Sequence, residues 1–232
     1  MTNGFTVWFT GMVGSGKTTL ARALEARLRR MGRSVELLDG DEPHALFNIG
    51  AGQTKDERNA EVRRLTWVSK LLTRNSTIVL CSASQSPYRD AREEARRQIG
   101  RFFEVFLDCP IEVLTKRDKT GQYKRAIAGE LKNFVGISAP YETPAAAELS
   151  VHTDVEQVEA SADRLLNALA AHGLLRPEEL GLRVRPKKEK PLPAAVRAPA
   201  PVSKKGKGKP VTKASARSAP RAIAARTARK AR

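Results

Sequence analysis

A doubly wound α/β fold, with a five-stranded parallel sheet and helices on both faces, is predicted by three features of this 232-residue sequence. Short apolar runs rich in β-branched and aromatic residues alternate with longer segments whose apolar residues recur every three to four positions. A glycine-rich run, Gly11-Met12-Val13-Gly14-Ser15-Gly16-Lys17-Thr18-Thr19, lies between the first apolar run and the first helical segment. A basic segment without aromatic residues closes the chain and stands outside the alternation.

The first strand is read at residues 5–10 (FTVWFT), followed by a helix at 18–31. The second pair is 34–38 and 56–74, and the third is 77–82 and 90–99. A fourth strand at 102–107 leads to a short helix at 111–117, and a fifth at 149–152 leads to a helix at 155–171. Strands separated by helices in this order imply right-handed crossovers and a parallel sheet, which places ligands at the carboxyl ends of the strands. Residues 118–144 lack a strand and are rich in Lys, Gly and polar residues, which suits a lid over the site better than core. The domain is expected over 1–175 and a linker over 176–182.

Charge is unevenly distributed. The chain carries a formal +17, yet residues 183–232 hold seventeen Lys and Arg against one acid, Glu189, so the first 182 residues are close to neutral. That segment lacks Phe, Trp and Tyr and is built from Ala, Pro, Lys, Arg, Ser and Gly, so it reads as a disordered tail. Such an arm is attracted to nucleic acid or another polyanion through counterion release; a solubilising extension is the alternative.

Cys81 and Cys109 fall in or beside apolar runs without metal-ligand spacing, and are read as buried reduced thiols. No basic n-region precedes the first strand and no apolar run approaches eighteen residues, so the expected compartment is the cytoplasm, with no membrane span. Trp8 and Trp67 are expected in the core, and His152 in a structural position.

The glycine-rich run has the pattern G-x-x-x-x-G-K-[ST], in which backbone N–H groups wrap around phosphate oxygens. Lys17 is then placed to reach the β and γ phosphates of a nucleotide, and the Thr18 hydroxyl to ligate Mg²⁺. Gly11, Gly14, Ser15, Gly16, Lys17, Thr18 and Thr19 form this candidate ATP site. The second strand ends in Asp39-Gly40-Asp41, whose carboxylates the topology brings to the same sheet edge. A carboxylate there can hold the metal or take the proton of an attacking hydroxyl.

Four further motifs narrow the reading: Leu38-Asp39-Gly40-Asp41, Ser86-Pro87-Tyr88-Arg89, the R-D-x-x-G-x-Y run from Arg117 to Tyr123, and K-N-F-x-G-I-x-x-P-Y-E from Lys132 to Glu142. With the phosphate loop, they resemble the adenylyl-sulfate (APS) kinase family of P-loop kinases over roughly residues 4–175. The resemblance implies transfer of the ATP γ-phosphoryl group to the 3′-hydroxyl of APS, with Mg²⁺. It assigns Lys17, Asp41 and Ser86 to catalysis, Thr18 and Asp41 to the metal, and Arg117 to the adenine of ATP. Asp39, His44, Arg58, Ser86, Lys132 and Phe134 are assigned to the acceptor, Ser86 matching a serine described in the family as a phosphorylated intermediate. Self-association into a homodimer is left open.

The acceptor half departs from the family pattern. Glu42-Pro43-His44 follows Asp41 where Asn-Val-Arg is usual, and Gly52-Gln53 stands for Gly-Phe. Glu61 occupies an Asn position, and Gln85 a usually aliphatic one. Two alternatives therefore stay open: a kinase for a different nucleotide-linked hydroxyl, for example a cytidine diphosphoramidate-type acceptor, and a nucleotide-dependent binding protein tethered to polyanions by its tail.

Overall fold

The computed structural model describes residues 4–39 and 54–180. Five parallel strands run β1 (Thr6–Thr10), β2 (Val35–Leu38), β3 (Ile78–Cys81), β4 (Phe102–Asp108) and β5 (Leu149–His152), ordered β2-β3-β1-β4-β5 across the sheet. Register is fixed by pairs such as Val7 with Leu80, Trp8 with Glu104 and Leu107 with Val151. This matches the predicted fold class, strand for strand.

Alternation along the central strands divides the core into two layers. Phe5, Val7 and Phe9 face α1 (Lys17–Arg30) and α6 (Val158–Ala171), packing with Leu20, Leu24, Leu165 and Leu169. Trp8 points the other way, toward Val62 and Leu65 of α2 (Lys55–Arg74) and Ala91 and Ala95 of α3 (Arg89–Ile99). Cys81 is buried and free, and so is Cys109. Burial pushes the Cys81 thiol well above its usual range.

Helix α2 starts at a capping box: Glu57 N donates to Thr54 Oγ1 at 3.4 Å and Thr54 N donates to Glu57 Oε2 at 2.7 Å. Its buried positions are Arg58, Glu61, Val62, Leu65, Thr66, Ser69 and Thr73. Trp67 lies on the opposite side and is 64% exposed, contrary to its expected core position. Two steps from Leu65 turn the helix by roughly 200°, which carries the indole from the core to solvent.

The region expected to serve as a lid holds a helix of its own. Beyond α4 (Ile111–Arg117), helix α5 (Gln122–Ile127) and the following turn bury Tyr123, Ala126 and Phe134 against Cys109 and Leu114. Met12 and Val13 of the glycine-rich loop complete this third cluster. The polar composition of the segment concealed an apolar face of only a few residues. Helix α6 starts three residues later than its periodicity suggests, because Glu156 is engaged in a turn with His152 N, Ser161 and Arg164. Past residue 175, where a linker was expected, Pro177–Leu180 form a 3₁₀ turn, and Glu179 accepts from Arg33 at 2.7 Å.

Candidate active site

The loop from Gly11 to Gly16 joins the end of β1 to the start of α1. Gly16 caps that helix at φ 93°, a left-handed conformation that a side chain would strain. Lys17 then folds back over the loop, donating to the carbonyls of Gly11 at 2.9 Å and Met12 at 3.0 Å. The side chain is half-buried by area, but its ammonium end is enclosed by the loop. That desolvation lowers its pKa to about 8, with Asp39 opposing the shift.

Two observations show that the loop fits phosphate. Ser15 Oγ is buried there without a protein partner, and the helix N-terminus adds its partial positive charge. Thr18 and Thr19 stand exposed on the first turn of α1.

Asp39, at the carboxyl end of β2, meets this loop across the sheet. Its Oδ1 accepts from Thr18 Oγ1 at 2.9 Å and from Ser82 Oγ at 2.8 Å, while Arg22 lies 3.8 Å from Oδ2. A carboxylate and a hydroxyl held this way are hard oxygen donors that fit Mg²⁺, which binds through one or two protein oxygens plus phosphates. The sequence reading placed Asp39 with the acceptor; the structure sets it against the threonine expected to hold the metal. Ser82, its second donor, was not anticipated, for the contact spans forty-three residues. Asp41, His44 and Gln53 lie outside the described residues.

Arg117, at the end of α4, donates to the Thr153 carbonyl at 2.7 Å. It lines a cavity of about 280 Å³ with Gly14, Thr19, Thr153, Glu156 and Val158. The cavity begins at the phosphate loop and runs toward β5, where Val151 lines it.

On the opposite sheet face, Arg58 is buried at 6% exposure and donates from Nη2 to the Asn133 carbonyl at 3.0 Å. Its Nε is buried without a partner. Burial lowers the guanidinium pKa, and the nearby Glu61 carboxylate opposes that shift. Lys132 is exposed beside this junction. Phe134 turns into the lid core, edge-on to Tyr123 at 5.0 Å. The structure therefore brings Arg58 and the Lys132–Phe134 segment together.

Ser86 is fully buried in a left-handed conformation at φ 47°. Its Oγ accepts from Trp8 Nε1 at 2.9 Å, and its amide donates to Ser84 Oγ at 3.0 Å. The side chain is thus enclosed, with its hydroxyl held by the Trp8 indole. A larger cleft of about 500 Å³ opens between Met12, Phe106, Asp108, Gly136 and Tyr141. Among the described residues, none of those expected at the acceptor lines it.

A parallel sheet of this order with a phosphate-wrapping loop after β1, a threonine and an aspartate meeting at the strand ends, and a small helical segment packed on the loop defines a P-loop kinase. The adenylylsulphate kinase family profile matches residues 3–152, and the chain belongs to that family. It is 46% identical over 174 residues to an adenylyl-sulfate kinase of Picosynechococcus, covering 75% of this chain and 98% of that protein. An adenylyl-sulfate kinase of Halothermothrix orenii is 47% identical over 178 residues, covering 76% of this chain and 96% of the relative. Among solved structures, the Mycobacterium tuberculosis APS kinase CysC in complex with AMPPNP and APS aligns with a TM-score of 0.67 at 36% identity. That alignment covers 72% of this chain and 97% of the other.

Proposed function

We propose that this chain transfers the γ-phosphoryl group of ATP to the 3′-hydroxyl of APS, releasing ADP and 3′-phosphoadenylyl sulfate, the activated sulfate donor. The observation that carries the reading is the buried Arg58 guanidinium with an unpartnered Nε–H beside the lid. Glu61 already offsets part of the charge, but a buried N–H without an acceptor is costly, and a phosphosulfate oxygen of APS would complete it. A relative 36% identical to this chain was solved with AMPPNP and APS, which supports the same pair of ligands here.

In this reading Gly11, Gly14, Ser15, Gly16, Lys17 and Thr19 hold the phosphates of ATP, and Arg117 flanks its base in the adjoining cavity. Thr18 and Asp39, with Asp41, would hold Mg²⁺, which supplies neutralisation of charge on the phosphates. Asp41 takes the proton of the attacking hydroxyl. Arg58, Lys132 and Phe134 orient the acceptor, with Phe134 reached when the lid rearranges around the substrate. Direct in-line transfer requires no phosphorylated protein group, and the enclosure of Ser86 Oγ favours a positioning role for that residue.

The test is ADP formation by the purified full chain with ATP, Mg²⁺ and APS; no APS-dependent ADP overturns the proposal. A panel of other nucleotides, read as the mass gain of one phosphoryl group, addresses a different nucleotide-linked acceptor. One observation favours that second reading: Gln85, in the acceptor loop, has a buried Oε1 without a partner where the family usually carries an aliphatic side chain.

Two buried free cysteines suit a reducing compartment, and the cytoplasm is proposed. Among the described residues no helix is long and apolar enough to cross a membrane. The charge of residues 183–232 supports an accessory attraction to polyanions. Salt-sensitive retention on nucleic acid that survives deletion of those residues would refute it.

A further inference from the structure

Arg92, which none of the motif readings singled out, sits on α3 at 2% exposure, with each end of its guanidinium engaged by a different part of the fold. Nε faces Glu104 Oε1 of β4 at 2.9 Å. Nη1 donates to the carbonyl of Ser86 in the acceptor loop, and Nη2 to the carbonyl of Glu142 where the lid segment returns toward β5. The guanidinium also lies 5.9 Å from the Tyr141 ring centroid.

The two loops it joins are linked to each other as well. Glu142 N donates to the Pro87 carbonyl at 2.8 Å, and Arg89 N donates to Glu142 Oε2 at 2.8 Å. Thr10, the last residue of β1, donates to the Gln85 carbonyl at 2.9 Å, and its hydroxyl shares a 2.9 Å bond with Tyr141 Oη. Glu104 is held in turn by Arg96, which also pairs with Glu148, and Glu148 Oε2 accepts from the Glu104 amide at 2.7 Å.

A left-handed non-glycine residue persists only where its surroundings over-determine it. Ser86 is such a residue, and its carbonyl is the one Arg92 grips. A planar fork with fixed donor directions can hold two carbonyls and a carboxylate at once, which a lysine ammonium cannot reproduce.

We propose that Arg92, seated by Glu104, is a positioning residue that locks the acceptor loop at residues 84–88 to the lid return at 140–143, so that the two move as one unit. It acts through Ser86 and Glu142 and touches no substrate. Its effect on turnover rests on the acceptor reading above, whereas its effect on the two loops does not.

The experiment uses the full chain carrying Arg92→Lys, and separately Glu104→Gln. Amide hydrogen exchange is followed over residues 84–88 and 140–143 and, as reference, over β1 and β4. Arg92→Lys should raise exchange in both loops together by about tenfold or more, the amount expected for losing charge-assisted bonds, while the strands keep their protection. Glu104→Gln should shift both loops in the same direction by a smaller factor, and it decides the matter if Arg92→Lys does not fold. In turnover, the KM for APS should rise about tenfold while the KM for ATP stays within about twofold.

Unchanged protection in the loops overturns the proposal. So does loss spread equally over the strands, which would mean a merely structural role, or a parallel rise in both KM values. An unmodified chain that fails to turn over APS sinks the acceptor reading, while the exchange data still decide the role of Arg92.

Discussion

Tyr123 Oη donates a 2.8 Å hydrogen bond to the carbonyl of Val13, fastening the lid to the phosphate loop. The contact accounts for the spacing of R-D-x-x-G-x-Y. Asp118 accepts from the amides of Thr120 and Tyr123, Gly121 adopts a left-handed turn at φ 72°, and the ring of Tyr123 is thereby delivered to Val13. Whatever displaces this segment must break the bond, so it and the phosphate loop are mechanically joined.

Tyr123→Phe should therefore act on ATP before it acts on the acceptor. Losing the bond leaves the Val13 carbonyl without its buried donor and costs about 1 kcal/mol, or about 2–4 °C in Tm for a domain of this size. The KM for ATP should rise several-fold. Steady-state kinetics and a thermal melt check both, and an unchanged ATP dependence would deny the coupling.

Lys17 carries a pH signature. Its pKa in the nucleotide-free protein is lowered to about 8, below the ordinary lysine value of 10.5, because the loop desolvates it. Between these values the unfolded chain binds more protons than the folded one, so this group makes stability rise with pH through the window and level off above it. Affinity for ATP should move oppositely, falling as pH rises through about 8 and the ammonium loses its charge. Lys17→Met should abolish transfer and flatten both trends, measured by denaturant melts and nucleotide titration from pH 7 to 10. Trends that persist in the variant would assign them to another group.

Asp39→Asn keeps the shape of the β2 terminus and removes its charge. Thr18 and Ser82 would still find an acceptor, so the fold should survive with a small change in Tm. Turnover should fall about a hundredfold, taking the roughly 2.7–4 kcal/mol lost on removing one preorganised electrostatic contact from an active site as the guide. The Mg²⁺ concentration for half-maximal rate should rise, and an unaltered Mg²⁺ dependence would remove Asp39 from the metal.

Ser86→Ala separates a phosphorylated intermediate from a positioning role. The buried Trp8 indole loses its acceptor, a cost of about 1–3 kcal/mol seen in a melt. Transfer should continue at a reduced rate, and no phosphoserine should appear at residue 86 of the unmodified chain by mass spectrometry during turnover. Complete loss of transfer with trapped phosphoserine in the parent would reverse the assignment.

The donor half was legible because its signal is local. Glycines at fixed offsets, a lysine and a threonine lie within nine consecutive residues, and the strand and helix on either side confirm them. The acceptor assignments rest on motif likeness alone, since Arg58, Ser86 and Lys132 are separated by tens of residues. Trp67 misled for a related reason: hydrophobicity marks a side chain as eligible for the core, while the phase of the helix decides whether it enters. The small core of this segment was missed because Tyr123, Ala126, Phe134 and Val135, its four buried residues, follow no clear period among polar ones.

By itself the sequence determined the alternation of strands and helices, the parallel sheet and the phosphate loop, all of which follow from periodicity and short-range backbone demands. The tertiary structure alone decided that Asp39 meets Thr18, that Tyr123 reaches Val13, and that Arg92 binds Ser86 and Glu142 together. Those pairings depend on how strands distant in sequence order themselves in the sheet. A buried polar group takes whichever partner that ordering brings within about 3 Å, and no local pattern encodes the choice.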